Sequence, residues 1–133
     1  MKWMLDTNTC IALIKGHPER TLRRLRGKSV GQVGISSITL AELQYGVARS
    51  RRAPEAAAAL AEFLLALEVA GFDAEAAGQY GQVSAGLSRR GLPIGPLDTL
   101  IAAHACALDA VLVTHNTREF RRVEGLRVED WVG

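Results

Sequence analysis

The run Val111-Leu112-Val113 constrains this chain more than any other segment: it is short, wholly apolar and β-branched at both ends. A strand of that kind is buried on both faces, which is the mark of a parallel sheet covered by helices rather than of a half-solvated antiparallel one. The segment before it, opened by Asp98 and running through Leu108, has the length and apolar content of a helix. The same alternation recurs from the start of the chain. Trp3-Met4-Leu5 reads as a strand ending at Asp6, and Thr7 to Lys15 as a helix with Ile11 and Ile14 at helical spacing.

His17-Pro18-Glu19 opens a basic amphipathic helix with Leu22 and Leu25 on one face, broken by Gly27 and Gly31. Val33-Gly34-Ile35 is the next strand, and Ser36 or Ser37 caps a helix from about Ile38 to Ala48. A helix from Pro54 to about Leu65, a brief strand Glu68-Val69-Ala70 and a helix from about Asp73 to Arg89 follow. Gly91 to Pro96 is a loop, and Leu126-Arg127-Val128 is the candidate last strand. The expectation is one α/β domain over residues 1–133, with a central parallel sheet of four to five short strands and helices on both faces. No linker or internal repeat divides it.

Composition agrees and closes off several classes. With 48% apolar and 23% charged residues in 133, the chain can bury a core without disulfides or structural metal. Thirteen Gly and four Pro are scattered rather than clustered, so disorder is a poor description. Aromatic residues make up only 5%, which argues against a stacking platform for single-stranded nucleic acid. Cys10 and Cys106 sit in apolar stretches without metal-ligand spacing and read as reduced core residues, which favours the cytoplasm. Asp6 arrives too early for an ordinary signal peptide, and Leu60 to Gly71 is too short and too charged to span a bilayer, so no membrane role is expected.

In folds of this class ligands gather at the carboxyl ends of the strands. Asp6 directly follows the first strand, and Thr114, His115, Asn116 and Glu119 follow Val111-Leu112-Val113. Asp98 stands at a helix start, where an ordinary N-cap is the plainest explanation. Glu42 has Ile38, Thr39, Tyr45 and Gly46 as helical neighbours and no basic partner among them, so it needs a partner from elsewhere or a cation. Converging carboxylates repel, and a hard divalent cation holds them together at neutral pH. Mg²⁺ or Mn²⁺ suits oxygen ligands; His17, His104 and His115 lack spacing for zinc. Asp6-Thr7-Asn8 is not the DxD of an aspartyl phosphatase, the late lysine of a phosphoacceptor domain is missing, and no glycine loop for nucleotides is present.

Four segments, MLDTNTCIALIKG, ITLAELQYGV, GPLDTLIAAHA and LVTHNTREFRRVEGLRVEDW, occur in the order and spacing of a known family. From Met4 to Trp131 the chain resembles the PIN-domain ribonuclease toxins of VapC type, the toxic halves of type II toxin–antitoxin pairs. The resemblance implies that Asp6, Glu42 and Asp98 are acidic, metal-binding and catalytic positions. Where many relatives carry Asp after the last apolar strand, Asn116 stands here, with Glu119 three residues on. Asn116 can give a neutral oxygen ligand; Glu119 is either a source of the missing charge or a solvated residue beside Arg118. Thr7 and Thr114 are candidates to hydrogen-bond the acidic residues.

The function implied is a Mg²⁺-dependent endoribonuclease acting on transfer RNA, with a VapB-like antitoxin partner, a homodimeric chain and a higher toxin–antitoxin assembly. A catalytically silent RNA-binding module and a DNA nuclease of the same fold are the competing readings. The net charge of +2 says little by itself, but thirteen of the sixteen basic residues are Arg, in clusters. Arg20, Arg23, Arg24, Arg89, Arg90 and Arg118 are the candidates for holding an RNA backbone, although an Arg-rich, Ala-rich chain also arises from coding composition alone.

Overall fold

A computed structural model describes residues 1–133. The elements run β1 (Trp3–Leu5), α1 (Thr7–Lys15), α2 (Glu19–Arg26), β2 (Val33–Ser36), α3 (Ser37–Ala48), α4 (Ala53–Leu64), β3 (Glu68–Ala70), α5 (Ala74–Arg89), α6 (Pro96–Leu108), β4 (Val111–Val113), α7 (Thr117–Phe120) and β5 (Val128–Glu129). All five strands are parallel, in the order β3-β2-β1-β4-β5. The order reverses between β1 and β4, and in such sheets the crevice at the carboxyl ends of the two strands flanking the reversal is where ligands sit.

The period of two along each strand divides the core. Met4 and its register partner Leu112 pack with Leu87 of α5, Ile101, Ala102 and Ala105 of α6, and Phe120 of α7. Leu5 and its partner Val113 face the other way, onto Cys10 and Leu13 of α1, Leu43 of α3, Leu60 of α4 and Trp131. Met4, Leu5, Leu112 and Val113 have no solvent exposure at all, so covering both faces is what lets so short a sheet persist.

Three helix starts are fixed by the residue leaving a strand or loop. Asp6, Ser36 and Asp73 each accept a backbone N–H of the first turn, from Thr9, Ile38 and Ala76. The helix carrying Asp98 begins earlier than the sequence suggests, at Pro96 rather than Asp98. Pro suits the first helical position, because its fixed φ is helical and its missing N–H would have had no partner there. Gly95 is therefore the N-cap, and Asp98 is the third residue of the helix, making no capping bond. The last strand lies at Val128–Glu129, two residues beyond the expected start at Leu126, and α7 is a single turn that the apolar pattern does not announce.

Gly34 of β2 is required by close approach: a Cβ there would overlap the Glu68 carbonyl of β3. Gly34→Ala is expected to lower stability by about 1–3 kcal/mol, since backbone on a paired strand cannot move aside. Gly78→Ala, in the middle of α5 with open space around it, should raise stability by roughly 0.5–1 kcal/mol. Thermal melts of the two variants check the pair of opposite signs.

No helix is long and apolar enough to cross a membrane.

Candidate active site

At the switch point, the backbone N–H of Asp6 donates to the Val113 carbonyl (3.0 Å), tying the end of β1 to the end of β4. The Asp6 side chain is 5% exposed. Its Oδ1 caps α1 by accepting from Thr9 N at 2.9 Å, which locks the carboxylate and leaves Oδ2 without a protein partner. Asp6 thus has a structural duty and a free oxygen at the same time.

Asp6 lines a cavity of about 210 Å³ together with Thr7, Asn8, Glu42, Asp98, Asn116 and Phe120. Three carboxylates from three different elements meet there, and no Lys or Arg lines it. Glu42, on α3, is held by Thr7, whose Oγ1 donates to Oε1 at 2.6 Å. The partner that its own helix lacks therefore comes from α1. Asp98 has no hydrogen-bonded partner, and its carboxyl is pushed up from 3.8 to about 6 by partial burial and by the negative charges of Asp6, Glu42 and Glu119. The site is short of positive charge.

The region after β4 supplies the remainder. Thr114 is fully buried, and its Oγ1 accepts from Asn116 N at 2.9 Å, so it shapes the turn rather than touching a carboxylate. Asn116 Nδ2 donates to Glu119 Oε2 at 2.8 Å, which leaves the amide Oδ1 free. Glu119 does not line the cavity; it reaches the site through Asn116 and through its charge on Asp98. Asn8 and Phe120 line the cavity without having been singled out in the sequence. Their signals were the helical turn after Asp6 and the apolar residue four places after Asn116.

The residues present fit a hard divalent cation: every polar side chain on the cavity offers oxygen, and the charge excess is negative. No three acidic or histidine side chains are drawn together tightly enough to enclose an ion by themselves. Mg²⁺ commonly keeps several waters and is bound through one or two carboxylates rather than by an all-protein cage. No histidine takes part. His17 is in a loop, His104 is buried with Nδ1 2.8 Å from Ser36 Oγ, and His115 is exposed beside Asp130.

The six arginines divide. Arg20 Nε donates to the Val132 carbonyl at 2.5 Å, Arg24 pairs with Glu129 at 3.1 Å and lies over Trp131, and Arg90 binds the Arg122 carbonyl and lies 3.8 Å from Glu124. These three hold the chain together. Arg23, Arg89 and Arg118 make no such contact.

An apolar groove of about 570 Å³ shares Thr7, Asn8 and Glu42 with the cavity and continues over Ile11, Ile38, Tyr45 and Leu97. It is larger than the acidic cavity, but only the acidic cavity concentrates chemistry.

Residues 3–126 match the family model of the PIN domain. The tRNA(fMet)-specific endonuclease VapC of Salmonella typhimurium is 48% identical over 132 residues, 98% of each chain. Ribonuclease VapC2 of Rickettsia felis is 42% identical over 98% of each. Among solved structures, DNA-bound VapBC from Salmonella typhimurium superposes with a TM-score of 0.93 at 46% identity, covering 98% of both chains. VapBC2 from Rickettsia felis bound to a promoter DNA fragment gives 0.90 at 40% identity over 98% of this chain and 99% of that one.

Proposed function

The chain belongs to the PIN domain family, and from that premise we propose that it is the toxin of a type II toxin–antitoxin pair, a divalent-metal-dependent endoribonuclease acting on transfer RNA. The observation that supports this most is the meeting of Asp6, Glu42 and Asp98 in one negatively charged cavity at the switch point, lined by no Lys or Arg. The initiator tRNA is the substrate to test first, since a relative 48% identical carries that specificity in its name. Action on tRNA belongs in the cytoplasm.

Asp6, Asp98 and Asn116 Oδ1 are the residues to hold Mg²⁺, with Mn²⁺ as the alternative, and Glu119 orients the Asn116 amide. When bound, the cation supplies charge for the phosphodiester and lowers the pKa of a water. Glu42, whose Oε1 is fixed by Thr7, has Oε2 free to accept the proton of the attacking water. The water oxygen bonds to phosphorus, the P–O3′ bond breaks, and the 3′ oxygen takes a proton from solvent. The products are a 5′-phosphate and a 3′-hydroxyl. Asp6 keeps its oxygen aimed through the helix cap it makes, and Thr114 fixes the turn presenting Asn116.

Arg23, Arg89 and Arg118 are the side chains available for RNA phosphates, giving salt-sensitive affinity without base selectivity. A VapB-like antitoxin is the partner, as in the related complexes. Its apolar segment fits the groove over Ile11, Tyr45 and Leu97, with a basic side chain reaching the acidic cavity. A homodimer of this chain within that complex is part of the same reading.

Sequencing of RNA ends after brief expression in a bacterial host tests the proposal. One dominant new 5′-phosphate end in a tRNA is expected, absent on expression of Asp6→Asn. RNA association without new ends would favour a silent binding module, and new ends in DNA a deoxyribonuclease.

A further inference from the structure

The chain ends in Val128-Glu129-Asp130-Trp131-Val132-Gly133, and this tail is strapped to α2. Thr21 Oγ1 donates to the Trp131 carbonyl at 3.0 Å, and Arg20 Nε to that of Val132. Asp130, just before them in the chain, has a different set of partners. Its Oδ1 accepts from the backbone N–H of Val132 and of Gly133, both at 2.9 Å. Its Oδ2 lies 3.0 Å from Nδ1 of His115.

His115 is the middle residue of the turn between β4 and α7, flanked by Thr114 and Asn116. The turn is held from inside the fold by the Thr114 hydroxyl on Asn116 N, and from outside by Asp130 on His115. An ordinary exposed ion pair contributes little, because both side chains must be ordered to form it. Here the carboxylate is already ordered: two backbone N–H groups set its orientation, and its side chain is 27% exposed against 63% for His115. What the contact adds is restraint on the turn more than stability of the fold.

We propose that Asp130, acting through His115, is a positioning residue that holds Asn116 at the acidic cavity, so that the C-terminal tail helps set the affinity of the site for its divalent cation. The inference rests on the reading of Asn116 as a cation ligand. Residues that orient a ligand from outside commonly change metal affinity by about 10- to 100-fold when removed.

Binding of Mn²⁺ alone, measured from the electron paramagnetic resonance signal of the free ion, tests it on the full chain. His115→Ala and Asp130→Ala should each weaken Mn²⁺ binding about tenfold, and the double variant no further. Asp130→Asn, whose side-chain oxygen can still accept the tail N–H groups while its amide faces the imidazole, should retain most of the affinity. The Tm of His115→Ala should stay within about 2 °C of the parent, as expected for an exposed contact. Its cleavage rate should recover at saturating Mn²⁺. Parental Mn²⁺ affinity in His115→Ala together with weakened affinity in Asn116→Ala would overturn the positioning role and leave Asn116 as a ligand. Additive losses in the double variant would overturn action through His115. Unchanged affinity in both His115→Ala and Asn116→Ala would remove Asn116 from the site and this proposal with it.

Discussion

Asp98→Asn should cost about 10²–10⁴-fold in cleavage rate while making the metal-free protein slightly more stable at neutral pH. The two effects have one cause. Folding brings Asp98 beside Asp6, Glu42 and Glu119 and partly buries it, which raises its pKa from 3.8 to about 6. Between those values the folded chain holds a proton that the unfolded chain has released, so stability falls as pH rises through this window and remains lower above it. A rise of that size corresponds to roughly 3 kcal/mol, but Asp98 is only half-buried and solvent screening leaves about 1 kcal/mol. The dipole of α6 favours a negative charge in its first turn by a few tenths of a kcal/mol, which reduces the gain further without cancelling it. In EDTA at pH 7.5 the variant should therefore melt about 2–4 °C above the parent, and at pH 3 the difference should vanish. Adding Mn²⁺ should raise the melting temperature of the parent more than that of the variant. An active Asp98→Asn protein, or one less stable than the parent at pH 7.5, would contradict this.

Trp131→Ala carries the largest expected loss of stability, about 3–5 kcal/mol. Trp131 is 1% exposed, packs with Leu5, Val33 and Val113 under the sheet, and donates its indole N–H to Glu129 at 3.0 Å. Trp3 donates to the other oxygen of the same carboxylate at 3.3 Å, and Lys28 lies over both rings. Truncation leaves a cavity, removes one of the two indole donors to Glu129 and takes away the ring on which Arg24 of α2 lies. The hydrogen bonds to Glu129, with Arg24 and Lys28 nearby, also hold its carboxyl below the usual range, so part of this stability belongs to the ionised form. It is present above the ordinary carboxylate pKa and lost as pH falls through the lowered one. Urea unfolding at pH 7 measures the main effect. A loss under 1 kcal/mol would mean that the tail is not part of the core.

The fold was legible where one local signal dominates. Val111-Leu112-Val113, Trp3-Met4-Leu5 and the serine cap at Ser36 carry their structure in a few adjacent residues, and four of the five strands stand where those residues place them. The misplaced elements are those decided by competition or by distant partners. Pro96 reads as a loop residue beside Gly95 but becomes the first residue of α6, because a helix start tolerates it. The last strand is set by pairing with β4, through Leu112 N on the Arg127 carbonyl, rather than by its own apolar residues. Of the three acids that meet in the cavity, Asp6 was legible at a strand end and Glu42 on an uncharged helix face, whereas Asp98 read as an ordinary helix start. The division of labour between Asn116 and Glu119 was not, since it depends on one side-chain hydrogen bond. Nor could equal-looking arginines be separated: Arg20 and Arg23 lie in the same cluster, yet Arg20 finds its partner 112 residues away and Arg23 has none.

Cleavage of a purified tRNA pool by the purified chain, with and without divalent metal, decides whether the acidic cavity is where the bond is broken. Mg²⁺ or Mn²⁺ should produce discrete fragments with 5′-phosphate and 3′-hydroxyl ends. EDTA should abolish them, readdition of metal should restore them, and Asp6→Asn should yield none under any of these conditions while melting as a folded protein. Fragments that persist in EDTA and in Asp6→Asn, or that end in a 2′,3′-cyclic phosphate, would contradict the account, because the acidic cavity would then not be where the bond is broken.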